Sequence, residues 1–305
     1  MLRAGGEVRL LRQRAGDAAE QLRLPMTSSV QLHAPQKLYE QWEHEQWNPF
    51  AIDLSADRDH WQAMNDDDRG LVLWALSSLM VAEERITTQF AALIMAAESE
   101  EEATFVATQQ VDEARHMQHY ARVQNEVIAD HQVIAAHIAR SREQLGEPFA
   151  VIFDQALVDA HRRLAADPRD RAAKVAFITT YHVVIESTLG LTAFEFITRY
   201  LNREHLLPGF VDGYSRIHHD EQRHIAYGVG YLRTAVAEDA ALADTVRATV
   251  RALLPAVADA LAPPGTDGLD FEALGASSDE IRAFALSGLT RRLNIIGVPI
   301  ETLAA

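Results

Sequence analysis

Residues 112–116 read Asp112-Glu113-Ala114-Arg115-His116, and residues 220–224 read Asp220-Glu221-Gln222-Arg223-His224. The two stretches differ only at their third position. With 23 Glu and 13 His in 305 residues, chance predicts about one Glu-x-x-His, and an Asp in front lowers that about fourteenfold, since 21 residues are Asp. No other Glu-x-x-His occurs in the chain. On a helix, positions i and i+3 share a face, so each Glu and His can converge on one point.

The surrounding sequence supports helices. Asn65 with Asp66, Asp67 and Asp68 supplies a cap and an acidic first turn for a helix expected to reach about Ala97. Ser99 and Glu102 form a capping-box pattern opening a second helix to about Ala129. Further helices are expected over about Pro148 to Ala166, Asp170 to Asn202, Pro208 to Val236, Asp239 to Leu261 and Ser278 to Asn294. Helices near 30 residues suit a bundle, so the fold class is all-α. The chain divides into an N-terminal extension over 1–30, a helical core over 31–262, and a C-terminal loop and helix over 263–305 that pack on the core. The stretch 262–268, Ala-Pro-Pro-Gly-Thr-Asp-Gly, is the clearest loop.

Composition limits the chemistry. The chain has no cysteine, which removes thiolate metal sites, iron-sulfur clusters, disulfides and cysteine nucleophiles, so any metal must use oxygen and imidazole ligands. A net charge of −16 opposes binding to a phosphate backbone, so no nucleic-acid partner is expected. The longest strongly apolar run, about Phe90 to Ala97, is too short for a membrane span, and acidic residues interrupt the N-terminal arginines where a signal peptide would need an apolar stretch. A cytoplasmic protein is expected.

Two Glu-x-x-His helices supply two carboxylates and two imidazoles, and a carboxylate-bridged pair of metals needs one more Glu from each of two other helices. Glu84, in VAEERIT, and Glu186, in YHVVIEST, lie in the helices preceding the two motifs. Glu186 sits in one of the most apolar stretches of the chain, where an unpaired carboxylate is costly. Glu84 is taken as the ligand and Glu83 as a solvated or supporting neighbour, although the adjacent pair leaves this choice open by one residue. The predicted set is therefore Glu84, Glu113, His116, Glu186, Glu221 and His224, a donor set suited to iron and manganese. Asp112 and Asp220 are candidates to accept a hydrogen bond from a ligand histidine. His119, His182, His218 and His219 read first as ordinary polar histidines, and Trp42, Trp47, Trp61 and Trp74 as packing residues.

These residues, with KLYEQWEHEQWNPFAIDLSADRDHW ahead of them and LLPG between, resemble the ferritin-like dimetal-carboxylate proteins over about residues 37 to 235. The likeness is strongest to the ligand-binding oxidases related to the small subunit of ribonucleotide reductase. The resemblance implies a ferritin-like helical bundle with additional helices and a homodimer. It also implies a manganese and iron pair, or two irons, that uses molecular oxygen, with a long-chain fatty acid or other apolar small molecule bound above the metals. Glu84, Glu113 and His116 would hold the first metal, and Glu186, Glu221 and His224 the second. Asp220 matches a carboxylate that hydrogen-bonds a ligand histidine.

Members of that group join a tyrosine to the β-carbon of a valine by an ether bond. Tyr181 matches the tyrosine, and Ile86, which keeps a tertiary β-carbon, stands at the valine position. Tyr181 is equally consistent with a buried tyrosine hydrogen-bonded to a ligand carboxylate. Tyr120 matches the radical tyrosine of reductase small subunits and opens a rival reading as such a subunit, although the last tyrosine of the chain is Tyr231 and the ending GVPIETLAA lacks a carrier for a radical relay. A diiron oxygenase of secondary metabolism and a metal-storage bundle are further rivals.

Overall fold

The computed structural model describes residues 32–128, 146–261 and 275–304, together with positions 136 and 139. The extension expected over 1–30 and the loop at 262–268 lie outside the described residues. Among the described residues the secondary structure is helical, with no strand.

After α1 (Pro35–His44), a short 3-10 turn and α2 (Ser55–Ala63), the first long element is α3 (Asp66–Gln89), capped by the Asn65 side chain, which accepts from the Asp68 amide at 2.8 Å. It ends earlier than the Ala97 expected from sequence, and a separate turn of helix, α4 (Ala91–Met95), follows. The break has a local cause. Thr88 Oγ1 donates to the carbonyls of Glu84 and Arg85, and Gln110 Nε2 draws off the Thr87 carbonyl at 3.0 Å, so side chains compete with the helical ladder just before Phe90.

Helix α5 (Glu100–Glu126) starts at Ser99, whose hydroxyl accepts from the Glu102 amide at 3.2 Å, with three glutamates in its first turn. After a π-helical stretch over Ala150–Ala156 comes α6 (Leu157–Ala166). Asp170 then caps α7 (Arg171–Ile178), which continues through a second π-helical stretch, Thr179–Gly190, into α8 (Leu191–Arg203). In that stretch Ser187 and Thr188 both donate to the Val183 carbonyl, at 3.0 and 2.7 Å, stabilising the wider winding. By length and composition Arg171–Arg203 could cross a membrane, but 78% of its most apolar window is buried inside the bundle, which accounts for its apolar character.

Helix α9 (Pro208–Glu238) carries the second motif. Its start is fixed from outside: Leu207 takes a left-handed conformation, and the buried Asp57 carboxylate of α2 accepts from the Gly209 and Phe210 amides at 2.8 and 2.6 Å. A β-carbon at Gly209 would lie 2.3 Å from the Asp53 carbonyl oxygen, so the close approach requires glycine. Helix α10 (Leu242–Ala260) and α11 (Ser278–Ile296) complete the chain; α11 opens with a capping box between Ser277 and Glu280 and packs on α8, α9 and the π-helical stretch.

The core is split into two apolar clusters. One contains Ile86, Phe90, Phe177, Tyr181 and Val183, the other Met80, Tyr120, Phe194, Phe210 and Tyr214. Among the acidic residues of the long helices, Glu83, Glu113, Glu186 and Glu221 are buried with this core.

Candidate metal centre

Four helical elements contribute to one buried cluster. Glu83 comes from α3, Glu113 and His116 from α5, Glu186 from the π-helical stretch, and Glu221 and His224 from α9. Ligand atoms of Glu83, Glu113, His116 and Glu221 lie within 4.8 Å of one another, as do those of Glu113, Glu186, Glu221 and His224. The two groups share Glu113 and Glu221.

The first helix supplies Glu83, a correction to the expectation of Glu84. Adjacent helix residues point about 100° apart, and Glu83 continues the buried stripe of Leu76, Met80 and Phe90. Glu84 stands on the next face, is partly exposed and lies outside both groups. The stripe is present in the sequence and is the signal that separates the two. Ile86, three residues after Glu83, falls on the same face and is buried.

The two aspartates cross between motifs. His116 Nε2 lies 3.1 Å from Asp220 Oδ2, and His224 Nε2 lies 3.2 Å from Asp112 Oδ2. With Nε2 held by a carboxylate, each imidazole turns Nδ1 towards the cluster. His116 Nδ1 is 3.2 Å from Glu113, and His224 Nδ1 is 3.1 Å from Glu186. The aspartates are held in turn by residues to which the sequence gives a packing role or none. Trp47 Nε1 donates to Asp220 at 2.8 Å and Trp42 Nε1 to Asp112 at 2.9 Å. Arg223 pairs with Asp220, and Arg115 with Asp112 at 2.8 Å, each from the i+3 position of its own motif. The Arg shared by both motifs is the sequence signal for this support.

Burial sets the protonation of the cluster. Glu83, Glu186 and Glu221 are held above the usual carboxylate range, first by burial and then by neighbouring carboxylates. Glu113 is held well below it despite burial, because the imidazoles of His116 and His224 stand 3.2 and 3.3 Å from its oxygens. Both imidazoles are raised against the opposing effect of burial, His116 chiefly by Glu83 and Asp220, His224 chiefly by Glu186 and Asp112. The cluster thus holds protons where divalent cations would replace them.

The residues fit a pair of metals. Oε2 of Glu83, Glu113, Glu186 and Glu221 and Nδ1 of His116 are buried without a hydrogen-bond partner among the described residues. Such a concentration of unmet acceptors is costly in an apolar interior unless cations bind there.

Tyr181 is fully buried and its hydroxyl donates to Glu113 Oε1. Tyr120 is also fully buried, but its hydroxyl has no partner among the described residues. Beside the cluster lies a cavity of about 140 Å³, walled by apolar residues such as Leu79, Phe149, Phe153, Leu189 and Phe196. Glu83, Glu186, Glu221, Ile86 and Tyr120 also line it. His119 and His182 lie outside both groups; each is buried and held below its usual range, first by burial and then by a neighbouring positive group.

A family model described as ribonucleotide reductase, small chain, matches residues 28–300. The chain belongs to that family. Within it, the solved structures similar to this chain include variants of R2-like ligand-binding oxidase with a Mn/Fe cofactor. A tyrosine-to-phenylalanine variant, aerobically reconstituted, is 24% identical with a TM-score of 0.75, covering 86% of this chain and 93% of that one. A valine-to-isoleucine variant, also aerobically reconstituted, is 24% identical with a TM-score of 0.77, covering 86% and 94%. A glycine-to-phenylalanine variant, anaerobically reconstituted, is 23% identical with a TM-score of 0.74, covering 87% and 94%. At these identities the likeness establishes the helical fold.

Proposed function

We propose that this chain is an oxygen-activating dimetal oxidase that attacks an unactivated C–H bond. Glu83, Glu113 and His116 would hold one metal and Glu186, Glu221 and His224 the other, with manganese and iron, as in the similar oxidases, or two irons. The observation that carries the reading is the set of unpaired, buried carboxylate oxygens opening onto an apolar cavity. When bound, the metal pair supplies the electrons that reduce oxygen and the oxidising power for C–H attack.

The chain's own residues do the rest. Asp220 and Asp112 orient the two imidazoles and fix their tautomers. The apolar wall keeps water from the oxidant and leaves a bound alkyl chain as the nearest target. Among the cavity's lining residues there is no Lys, Arg or His. A fatty acid would therefore place its carboxylate at the metals and its chain along Leu79, Phe153 and Phe196.

Tyr181 and Ile86 belong to the same apolar cluster, and Ile86 shares the Glu83 face of its helix. Joining the Tyr181 oxygen to the Ile86 β-carbon removes two protons and two electrons, which oxygen accepts. Glu113, already bonded to the Tyr181 hydroxyl, would receive the phenolic proton. We also propose that the protein works as a homodimer, which sedimentation would read as twice the chain mass.

Element-resolved metal analysis after aerobic reconstitution with equal manganese and iron tests the reading. One of each, or two irons, per chain supports it, and no bound metal overturns it. Lipid extraction followed by mass spectrometry should recover a long-chain acid, which an Ala193→Phe substitution in the cavity wall should displace.

The unpartnered hydroxyl of Tyr120, lining the same cavity, favours a second reading in which this residue carries a radical for a reductase partner. A stable tyrosyl signal lost in Tyr120→Phe would select it.

A further inference from the structure

A file of aromatic residues leaves the metal cluster and ends half-buried. The ring of Tyr181 lies 4.2 Å from that of His182, His182 lies 5.4 Å from Tyr227, and Tyr227 lies 6.3 Å from Tyr231 on the next turn of α9. None of the last three residues ligates the cluster or lines the cavity.

The outer two tyrosines meet an unusual polar group. Lys174, 1% exposed, donates to Glu102 at 2.8 Å and Glu98 at 3.2 Å, and its ammonium stands 4.3 Å from the centre of the Tyr231 ring. Tyr227 donates to the same Glu102 oxygen at 2.5 Å, and Tyr231 to Glu98 at 2.6 Å. A buried lysine is costly unless paired, and here it is paired with two carboxylates, each of which also faces one phenol. The hydroxyls of Tyr120 and Tyr214, on the opposite side of the cluster, have no partner among the described residues. A phenol that loses an electron becomes strongly acidic, so its oxidation needs a base within hydrogen-bond reach. Tyr227 and Tyr231 have that base.

We infer that Tyr227 and Tyr231 form a redox route that carries single electrons inward, from a donor of the ascorbate class at the surface to the oxidised metal site. The inference rests on the dimetal reading. In the first transfer Tyr227 gives one electron inward, through the His182 and Tyr181 stack, and its hydroxyl proton moves to Glu102. Tyr231 then reduces the Tyr227 radical, which takes its proton back from Glu102, while the Tyr231 proton moves to Glu98. The surface donor finally returns one electron to Tyr231 as Glu98 gives back the proton, and the donor is left oxidised by one electron. Because a phenol yields an electron only to a strong oxidant, the route discharges a site that has reduced oxygen and found no C–H bond to attack.

The absence of cysteine allows a test without metal. A Thr234→Cys substitution, one turn from Tyr231 at an exposed position, takes a ruthenium photosensitiser at a single place. Flash oxidation of this metal-free protein should give a tyrosyl signal in electron paramagnetic resonance that changes with ring-deuterated tyrosine and, because Tyr231 reduces the Tyr227 radical, rests on Tyr231. Tyr227→Phe should leave that signal in place and Tyr231→Phe should remove it. No tyrosyl signal in the parent, or one unchanged in Tyr231→Phe, overturns the route. In the metal-loaded protein, ascorbate should shorten the life of the oxidised site in the parent and in Tyr231→Trp, and lose that effect in Tyr231→Phe; equal shortening in all three also overturns it. If no metal binds, the route loses its acceptor and falls with the dimetal reading, whereas metal binding without the ascorbate effect overturns the route alone.

Discussion

Asp112 and His224 belong to different motifs, 112 residues apart in sequence, yet their side chains meet at 3.2 Å. Asp220 and His116 make the reciprocal contact at 3.1 Å. Each motif therefore supplies two donors to its own side of the cluster and the orienting carboxylate for the other side. Asp220→Asn should weaken the metal held by His116, and Asp112→Asn the metal held by His224, each by about 10- to 100-fold. Site-resolved metal titration checks this; loss at the wrong side in either variant contradicts the crossing.

The helix phase at the glutamate pair gives a sharper comparison. Glu83→Ala should lose metal from the His116 side, whereas Glu84→Ala should bind the full complement. Metal content per chain, measured on both variants in parallel, distinguishes the two assignments, and the reverse pattern would return the ligand to Glu84.

Packing around His182 predicts a contrast between glycines. A β-carbon at Gly228 would lie 2.3 Å from the His182 β-carbon, with backbone-proximal atoms that cannot swing away, whereas at Gly70 nothing lies within 4 Å. Gly228→Ala should destabilise by about 1–3 kcal/mol through overpacking. Gly70→Ala, at an exposed helical position, should stabilise by about 0.5–1 kcal/mol. Denaturant titration of both variants would show opposite signs.

His119 gives a pH dependence. Burial first, and then the nearby Arg122, lower it to about 4 from 6.5. The unfolded chain therefore binds this proton at higher pH than the folded one, so stability is full above about pH 6.5 and falls as pH drops towards 4, by up to about 3 kcal/mol. Its ring stacks on Phe210 at 6.0 Å, so His119→Phe keeps an aromatic surface there. Melting curves should show a shallower acid loss in that variant; identical pH slopes would remove His119 as the cause.

Much of this was legible because metal ligation leaves periodic marks. The two motifs, the lone carboxylate of Glu186 in an apolar run and the caps at Asn65, Ser99 and Asp170 are local patterns, and a helix turns them directly into geometry. For Tyr181 the sequence admits both an ether bond and a hydrogen bond to a ligand carboxylate; the geometry displays the hydrogen bond, to Glu113, while the ether bond is left to chemistry after folding. What was not legible depends on contacts between distant elements. The crossing of Asp112 and Asp220 depends on how α5 and α9 pack, and the indole donors Trp42 and Trp47 arrive from a segment whose path no periodicity reveals. The choice between Glu83 and Glu84 lay in between: it required the phase of α3, which Leu76, Met80 and Phe90 carry. The break before Phe90 was hidden because Thr87 and Thr88 read as helical until Gln110 draws off a backbone carbonyl.

The wide winding of Thr179–Gly190 has a consequence for the history of the chain. A π-helical stretch places more residues in a given number of turns than an α-helix does, and it commonly records a residue inserted into an ordinary helix. Removing one residue there could be absorbed by tighter winding, leaving Leu191–Arg203 facing the same neighbours. Related chains that differ by a residue in this helix should therefore show the gap between Tyr181 and Leu191, and an alignment forced through without one would set Glu186 against the wrong position.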